Sequence, residues 1–249
     1  RAHSPEAIVA VDEELADLRK RNVWDESRYQ ECAKVLEENP EAHIADLFSI
    51  VGIKNYDGPA NQQKTKGRIV LGGHNIRGGV KKKKIKLFEQ TASHPSSMCA
   101  ARCAIAYAML VGGVCLQTDC HKAYTQSFFD GPPTWIRLPK KWWPAEWKRL
   151  GLIDPVCPLV MNLYGHPRAG NGWERHADKV CKSHGYVPIP EWPSVYWHPD
   201  KKIVLVVYVD DIIGAGLEGN VRESLVDLKR DLDFGDPEIL NKYLGCFHH

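Results

Sequence analysis

The chain has no large excess of charge of either sign and no apolar run long enough to cross a membrane. Its 249 residues include 33 Lys and Arg against 31 Asp and Glu, so no overall field requires a nucleic-acid partner. An apolar stretch over residues 99–116 is broken by Arg102 and Gly112, which favours a soluble core helix over a membrane span. We therefore expect no membrane partner.

We also expect no signal peptide, and the sequence has no repeated C-x-x-C pair. Its eight cysteines are scattered, a pattern typical of reduced, intracellular thiols rather than of a disulfide framework. Cys115, Cys120 and His121 are close in sequence, but they lack the paired spacing of a structural zinc site. Because the chain starts without Met and stops after the strand-like residues 243–247, we expect it to be a piece of a longer protein.

The most distinctive feature present is a strand–turn–strand pattern over residues 203–216, in a chain long enough for one large domain or two lobes. Seven apolar or aromatic residues at 203–209 predict a buried central strand. Asp210 and Asp211 then interrupt the apolar pattern. Short acidic side chains suit a solvated turn, whereas two adjacent anions beside an apolar strand would also be relieved by a divalent cation.

A third carboxylate lies at the end of another predicted strand, over residues 114–119. Gly112 and Gly113 end the preceding helix, and residues 120–124 turn away from the strand. A lone Asp119 in this position is commonly a turn residue. Its significance depends on whether its strand lies beside the acidic hairpin.

Basic residues are concentrated in two places. Residues 66–73 alternate as in a strand, which puts Lys66 and Arg68 on one face of the sheet. Such cations are either ordinary exposed residues or ligands for phosphate oxygens, which Arg can bind with two parallel hydrogen bonds. A run of lysines at 81–84 with Lys86 is either a solvated loop or a cover over a phosphate backbone.

Further elements follow from hydrophobic periodicity. The pattern predicts helices over 6–21, 96–111, 173–183 and 221–232, and a strand over 194–197. Residues 130–158 are rich in Pro and Trp, which indicates a packed surface loop or, alternatively, a surface that stacks on unpaired bases.

Three of these motifs together resemble the reverse transcriptases of copia-type long-terminal-repeat retrotransposons. Residues 208–211, Tyr-Val-Asp-Asp, resemble the Y-x-D-D signature. Asp119 followed by Tyr124 resembles the D-x-x-x-A-[FY] motif. Residues 66–73 are similar to the family's K-A-R-L-V-x-x-G strand.

Two further segments extend the resemblance. Residues 162–173 have the spacing of the family's L-Y-G-L-K-Q-A-P-R-A-W motif, although Arg168 stands where the family has Gln. Residues 243–245 are similar to the family's F-L-G ending, whose strand grips the primer terminus. The resemblance spans most of residues 6–247.

The resemblance implies an α+β fold, a right-hand polymerase palm whose antiparallel sheet is backed by helices, with a fingers subdomain and without a thumb. Residues 1–24 would be an N-terminal helix. Residues 25–113 would form the fingers, with a divergent insertion at 25–63. Residues 114–249 would be mainly palm, with the catalytic strand, the Y-V-D-D hairpin and the end similar to a primer grip.

The resemblance also implies a set of site residues. The catalytic residues and metal ligands would be Asp119, Asp210 and Asp211, holding two Mg²⁺ ions for which Mn²⁺ could substitute. Nucleotide-binding residues would be Lys66, Arg68, Cys120, Tyr124 and Arg168. Primer contacts would be Tyr208, Leu244 and Gly245.

The activity implied is RNA-directed DNA polymerisation, in which deoxynucleoside triphosphates extend a DNA primer on an RNA or DNA template. Other implied partners are the thumb, ribonuclease H and integrase regions of the same polyprotein, in an intracellular, cytoplasmic virus-like particle with the nucleus as a second location. Two alternatives stay open. One is a decayed or repurposed copy that binds nucleic acid without polymerising, and the other is an unrelated α/β protein whose acidic hairpin is only a turn.

Overall fold

The chain folds into an α+β arrangement, described by a computed structural model for residues 4–56, 58–78, 83–84, 95–243 and 246–247. Its residues divide into two compact units. The first comprises Arg1–Thr91 and Phe128–Ala169, and the second comprises Ala92–Ser127 and Gly170–His249. Among the described residues, no helix has the length and apolar character needed to cross a membrane.

The described part of the chain contains six α-helices and fifteen strands. The helices are α1 Pro5–Lys20, α2 Cys32–Glu38, α3 Met98–Leu110, α4 Ala145–Arg149, α5 Ala169–Ser183 and α6 Glu218–Leu228. The strands of the first unit are β1 Gln30–Glu31, β2 His43–Lys54, β3 Lys64–Leu71, β4 Arg77–Gly78, β5 Lys83–Lys84, β7 Thr134–Arg137 and β8 Pro155–Pro158. Those of the second are β6 Val114–Asp119, β9 Val187–Pro188, β10 Val195–His198, β11 Ile203–Tyr208, β12 Asp211–Gly216, β13 Glu238–Ile239, β14 Lys242–Tyr243 and β15 Cys246–Phe247.

The first unit contains a seven-stranded sheet in the order β1-β8-β7-β2-β4-β5, with β3 also paired to β2. Strand β7 runs parallel to β2, whereas the other pairs are antiparallel. Helix α1 packs against β3 so closely that a Cβ at Gly67 would lie 2.5 Å from the carbonyl oxygen of Ala10. Only glycine permits this approach.

The N-terminal helix forms as its sequence predicts. Ser4 Oγ accepts a hydrogen bond from the Ala7 backbone N–H at 3.3 Å, which satisfies a donor at the first turn. Val11, Leu15 and Leu18 are buried on the face of α1 that meets the sheet.

The second unit contains a fully antiparallel, six-stranded sheet in the order β13-β6-β12-β11-β10-β9. Helices α5 and α6 contribute to the core on one face, and α3 packs on the other face through its alanines. The hairpin β11–β12 is therefore central and covered on both sides. An antiparallel sheet backed by helices agrees with the predicted architecture of this part.

The two units do not follow the predicted domain ranges. Residues 92–113 belong to the second unit, because α3 packs on the sheet that contains β6, β11 and β12. Residues 128–169 belong to the first unit, because β7 pairs with β2 and β8 pairs with β7. The assignment of fingers and palm to these units remains a prediction.

Several predicted helices have different ends. Helix α5 begins at Ala169 rather than Trp173, and α6 covers Glu218–Leu228 rather than 221–232. Leu110, the last residue of α3, is 86% exposed although it is apolar. Of the predicted lysine run, 83–84 form the short strand β5, while 81, 82 and 86 lie outside the described residues.

Candidate active site

The strand–turn–strand pattern of the sequence forms a two-residue hairpin. Tyr208 at the end of β11 pairs with Asp211 at the start of β12, so Val209 and Asp210 are the turn residues. Leu205, Val206 and Val207 are buried. The apolar strands thus fix the acidic turn at one edge of the sheet of the second unit.

The turn has an unusual backbone. Val209 has a φ of 53°, in the left-handed region that β-branched residues rarely adopt. Hairpin turns with positive φ at the first turn position normally have glycine there. A non-glycine residue in such a conformation costs about 1–3 kcal/mol and persists only where the surroundings hold it.

Two hydrogen bonds hold this turn in place. The buried indole N–H of Trp173, on α5, donates to the Val209 carbonyl oxygen at 2.8 Å. The backbone N–H of Cys120 donates to the Asp210 carbonyl oxygen at 2.6 Å. The turn is therefore anchored both to a helix and to the residue that follows Asp119.

Asp119 lies beside the acidic turn although it is far from it in sequence. Strands β6 and β12 are antiparallel neighbours, and Asp119 is directly opposite Asp211 in their register. Directly opposed residues project from the same face with Cβ atoms about 4.5–5.5 Å apart. The structure thus brings together Asp119, Asp210 and Asp211, as the interpretation of the sequence requires.

The grouped carboxylates perturb one another. The pKa of Asp211 is raised from 3.8 to about 6, first by burial and then by the negative charges of Asp119 and Asp210. Opposed like charges destabilise a pair of strands. A cation at this edge of the sheet would offset both effects.

The carboxylate oxygens of Asp119, Asp210 and Asp211 suit a hard divalent cation whose other coordination positions are filled by a ligand or water. No group of three His, Cys, Asp or Glu side chains among the described residues is arranged to hold a metal ion by itself. Mg²⁺, however, is commonly held by one or two carboxylates, with substrate phosphates and water completing its octahedron. The carboxylate oxygens at this edge match that requirement, whereas they do not form a closed metal cage.

Tyr124 and Cys120 lie close to the acidic turn but differ in exposure. Tyr124 is half-buried, and its pKa is raised first by burial and then by the charges of Asp210 and Glu174. The Cys120 side chain is fully buried, and burial is the main cause of its raised pKa. Cys120 can therefore serve the site through its backbone, while the Tyr124 ring is available to contact a ligand.

A small cavity adjoins Tyr124. Its wall includes Trp173, Glu174, Tyr196 and Val209. Glu174 and Tyr196 were not identified from the sequence. Glu174 directly follows Trp173, the tryptophan of the sequence motif. The sequence signal that could have identified it was an acidic residue near the start of α5.

Residues 233–235, which follow α6, form hydrogen bonds with the end of β6 and the residues after it. This role was not identified from the sequence. The Gly235 N–H donates to the Asp119 carbonyl oxygen at 3.0 Å, and Thr118 Oγ1 donates to the Gly235 carbonyl oxygen at 2.8 Å. His121 Nδ1 lies 2.8 Å from Asp233 Oδ1. Gln126 Nε2 donates to the Asp233 carbonyl oxygen at 2.7 Å. Residues 233–236 thereby fix the strand end that presents Asp119.

The predicted phosphate ligands Lys66 and Arg68 lie in the first unit. Both are exposed on the same face of β3, opposite the face that packs on α1. Together with Lys54 and Ile50 they line a shallow concavity on the β2–β3 hairpin. The expected alternation of the strand is confirmed, while a role in binding a nucleotide remains a prediction.

The remaining predicted residues are placed as follows. Tyr208 is half-buried and packs against the cluster formed with α3. Arg168 is in the first unit, where its backbone N–H donates to His166 Nδ1 at 3.1 Å. Leu244 and Gly245, expected to contact a primer, lie outside the described residues.

Comparisons with known proteins give structural similarity only. No protein-family model and no curated protein matches the chain. The foamy viral protease–reverse transcriptase dRH in complex with double-stranded DNA is similar with a TM-score of 0.44 at 12% identity, covering 97% of this chain and 34% of that one. Prototype foamy virus protease–reverse transcriptase, in its native form, has a TM-score of 0.44 at 15% identity, covering 95% and 24%. The chain thus spans a quarter to a third of these proteins, and neither is described as copia-type.

Proposed function

We propose that the chain is the fingers and palm part of a copia-type reverse transcriptase, which adds deoxynucleotides to a primer on an RNA or DNA template. The observation that carries this proposal is the register of β6 and β12. It sets Asp119 opposite Asp211, while the Cys120 N–H binds the Asp210 carbonyl oxygen. Three carboxylates thus meet at one sheet edge, and one of them, that of Asp210, belongs to a strained turn that is held by hydrogen bonds.

The residues of this edge have distinct proposed roles. Asp119 and Asp210 would hold two Mg²⁺ ions, or Mn²⁺ in their place, and Asp211 would be a secondary ligand. Bound metal would supply charge stabilisation for the primer 3′-hydroxyl and the leaving pyrophosphate. The chain itself contributes position, because Trp173 and Cys120 fix the turn before any ligand arrives.

Residues around the acidic edge would select and orient the nucleotide. Tyr124 would contact the sugar and reject a 2′-hydroxyl by its bulk, and the Cys120 backbone would lie beside the nucleotide. Lys66 and Arg68 would neutralise the triphosphate, which suits their exposed position on one face of β3. Arg168 would add a further phosphate contact in place of the amide of glutamine.

The proposed partners follow from the reaction. The template and primer would be bound through their backbones, since a copying enzyme must accept any sequence. Thumb, ribonuclease H and integrase regions of the same polyprotein would complete the enzyme. It would act in a cytoplasmic virus-like particle, with the nucleus as a second location.

A second function is a repurposed reverse transcriptase that binds nucleic acid without polymerising. Arg168 at the position of the family's glutamine favours it. This alternative requires duplex binding but no nucleotide incorporation.

Primer extension by the chain joined to the downstream thumb region of its polyprotein tests both functions. A DNA primer on an RNA template is incubated with deoxynucleotides in Mg²⁺ or Mn²⁺, and duplex affinity is measured in parallel. Asp119→Asn and Asp210→Asn should abolish extension with duplex affinity retained. Asp200→Asn is the matched control, because Asp200 is an exposed acid in the turn at the opposite end of β11.

The outcomes separate the candidates. Extension that survives Asp119→Asn or Asp210→Asn refutes the assigned roles. Duplex binding by the unaltered chain without incorporation in either metal selects the repurposed protein. Neither binding nor incorporation rejects both functions.

A further inference from the structure

Two exposed thiols lie side by side on the outer face of α3. Cys99 and Cys103 are four positions apart in the helix, and both side chains are exposed. Desolvation and then the neighbouring Cys99 thiol raise the pKa of Cys103. The two groups therefore form a pair rather than two independent thiols.

The spacing of this pair suits a bridging ion better than a disulfide. Residues four apart in a helix have Cβ atoms about 5–6 Å apart. A disulfide needs Cβ atoms about 3.5–4.5 Å apart, so oxidation would distort the helix. Two metal–thiolate bonds of about 2.3 Å, by contrast, span sulfur atoms roughly 4 Å apart without unwinding it.

The other described cysteine side chains are less accessible to an ion in solution. Cys32, Cys120, Cys157 and Cys181 are buried. Cys115 is partly buried, its pKa is raised to about 11 by burial, and its thiol lies 3.8 Å from the Ala104 carbonyl oxygen. Within the part of the chain that the structure describes, Cys99 and Cys103 are thus the accessible thiols.

We propose that Cys99 and Cys103 form a bidentate binding site for a soft, thiophilic metal ion. Both thiols lose their protons to solvent, two metal–sulfur bonds form, and no electron is transferred. Water or an external thiol completes the coordination. Thiolates select soft ions such as Cd²⁺, whereas the carboxylates of the acidic hairpin select hard ones.

The site would be anchored to the sheet that carries the acidic hairpin. On the opposite face of α3, Ala100, Ala104 and Ala108 belong to one buried cluster with Val206 of β11 and Ile213 of β12. An ion on the outer face of α3 would therefore be bound to a helix that the hairpin strands hold in place.

Cd²⁺ titration of the folded chain tests the site, followed by the ultraviolet charge-transfer absorption of Cd–thiolate bonds. Every variant also carries Cys246→Ser, so that this thiol does not contribute. Because a second ligand on the same scaffold raises affinity by about 100-fold or more, Cys99→Ser and Cys103→Ser should each weaken binding at least about 100-fold.

A double variant, Cys103→Ser with Ala106→Cys, is the matched control. It keeps two thiols on the exposed face of α3, at positions 99 and 106, but separates them by about 10 Å along the helix. It should bind Cd²⁺ as weakly as the single variants. Circular dichroism establishes that every variant is folded.

Phenylarsine oxide supplies a second measurement by intact mass. Its arsenic forms two As–S bonds with the paired thiols, and its oxygen leaves as water with the two thiol protons. The adduct should survive washing with a monothiol and be released by a dithiol. Equal Cd²⁺ affinity in the chain with Cys246→Ser alone, a single-Ser variant and the matched control would overturn the proposal, as would an arsenic adduct that forms without Cys99 or Cys103.

Discussion

The Trp173 indole N–H donates a 2.8 Å hydrogen bond to the carbonyl oxygen of Val209, the turn residue whose φ is 53°. A helix thereby fixes a conformation that the hairpin would not adopt by itself. The position of the neighbouring Asp210 depends on this bond, because Asp210 follows directly in the turn.

Replacing Trp173 with Phe should lower the rate of primer extension about 10- to 100-fold. Phenylalanine keeps an aromatic ring at this buried position, but the turn that positions Asp210 loses its hydrogen bond. Rates and urea unfolding curves measure the two consequences. The free energy of unfolding should fall by about 2–4 kcal/mol, because the smaller ring leaves a cavity and a hydrogen bond is lost.

Trp143→Phe is the matched control for this change. The Trp143 indole N–H also donates to a backbone carbonyl oxygen, that of Leu138 at 2.9 Å, but it belongs to the first unit. It should lose less stability, because Trp143 is only partly buried, and it should keep its extension rate. Equal rate losses in both variants would contradict the role given to Trp173.

Val209→Asn should stabilise the protein by about 1 kcal/mol. Asparagine tolerates a positive φ better than a β-branched residue, so the strain of the turn is reduced. Val204→Asn, in the regular strand β11, should instead destabilise the protein. Urea unfolding of the two variants gives the comparison, and destabilisation by Val209→Asn would argue against strain at this residue.

The free energy of unfolding should fall as pH rises through about 6, because the half-buried Asp211 side chain then loses its proton in the folded protein. Its folded pKa is raised from 3.8 to about 6, so its contribution to stability is fully present below pH 3.8 and is lost as pH rises through about 6. The loss amounts to about 3 kcal/mol. In metal-free buffer, the difference in unfolding free energy between Asp211→Asn and the unaltered chain should grow over this pH range, and a constant difference would contradict the shift.

His166 should have the opposite effect on the first unit. It is 4% exposed, packs edge-on against Phe129 and has its pKa lowered to about 4, first by burial and then by the charges of His43 and Arg168. Its contribution to stability is present above pH 6.5 and is lost as pH falls through about 4, by about 3 kcal/mol.

Unfolding of His166→Gln between pH 4 and 7 checks this expectation. The variant should show a flatter loss of stability on acidification than the unaltered chain. His74→Gln, at an exposed position of the same unit, should keep the original dependence. An unchanged slope in His166→Gln would remove His166 as the cause.

The local parts of the fold could be predicted because their signals lie in short segments. The strand Val114–Asp119 and the hairpin around Asp210 follow from runs of strand-forming residues that end in polar turns. The side of β3 that carries Lys66 and Arg68 follows from the alternation of a strand. These features need no knowledge of distant neighbours.

Other features depend on pairing between distant segments, and the sequence pattern does not contain them. The parallel pairing of β7 with β2 places residues 128–169 in the first unit, contrary to the predicted ranges. The φ of Val209 depends on tertiary hydrogen bonds, since valine alone disfavours it. Leu110 is exposed at the last position of α3 although it is apolar, because burial depends on neighbours from distant segments.

The bonds from residues 233–236 to the end of β6 have a consequence for synthesis of the protein. The Thr118 side chain binds the Gly235 carbonyl oxygen, 117 positions further along the chain. A nascent polypeptide carries all three aspartates once Asp211 has left the ribosome, but the end of β6 can form its hydrogen bonds with Gly235 only when that residue has also emerged. Ribosome-bound intermediates that stop between these two residues would contain Asp119, Asp210 and Asp211 and would still lack the hydrogen bonds that fix Asp119.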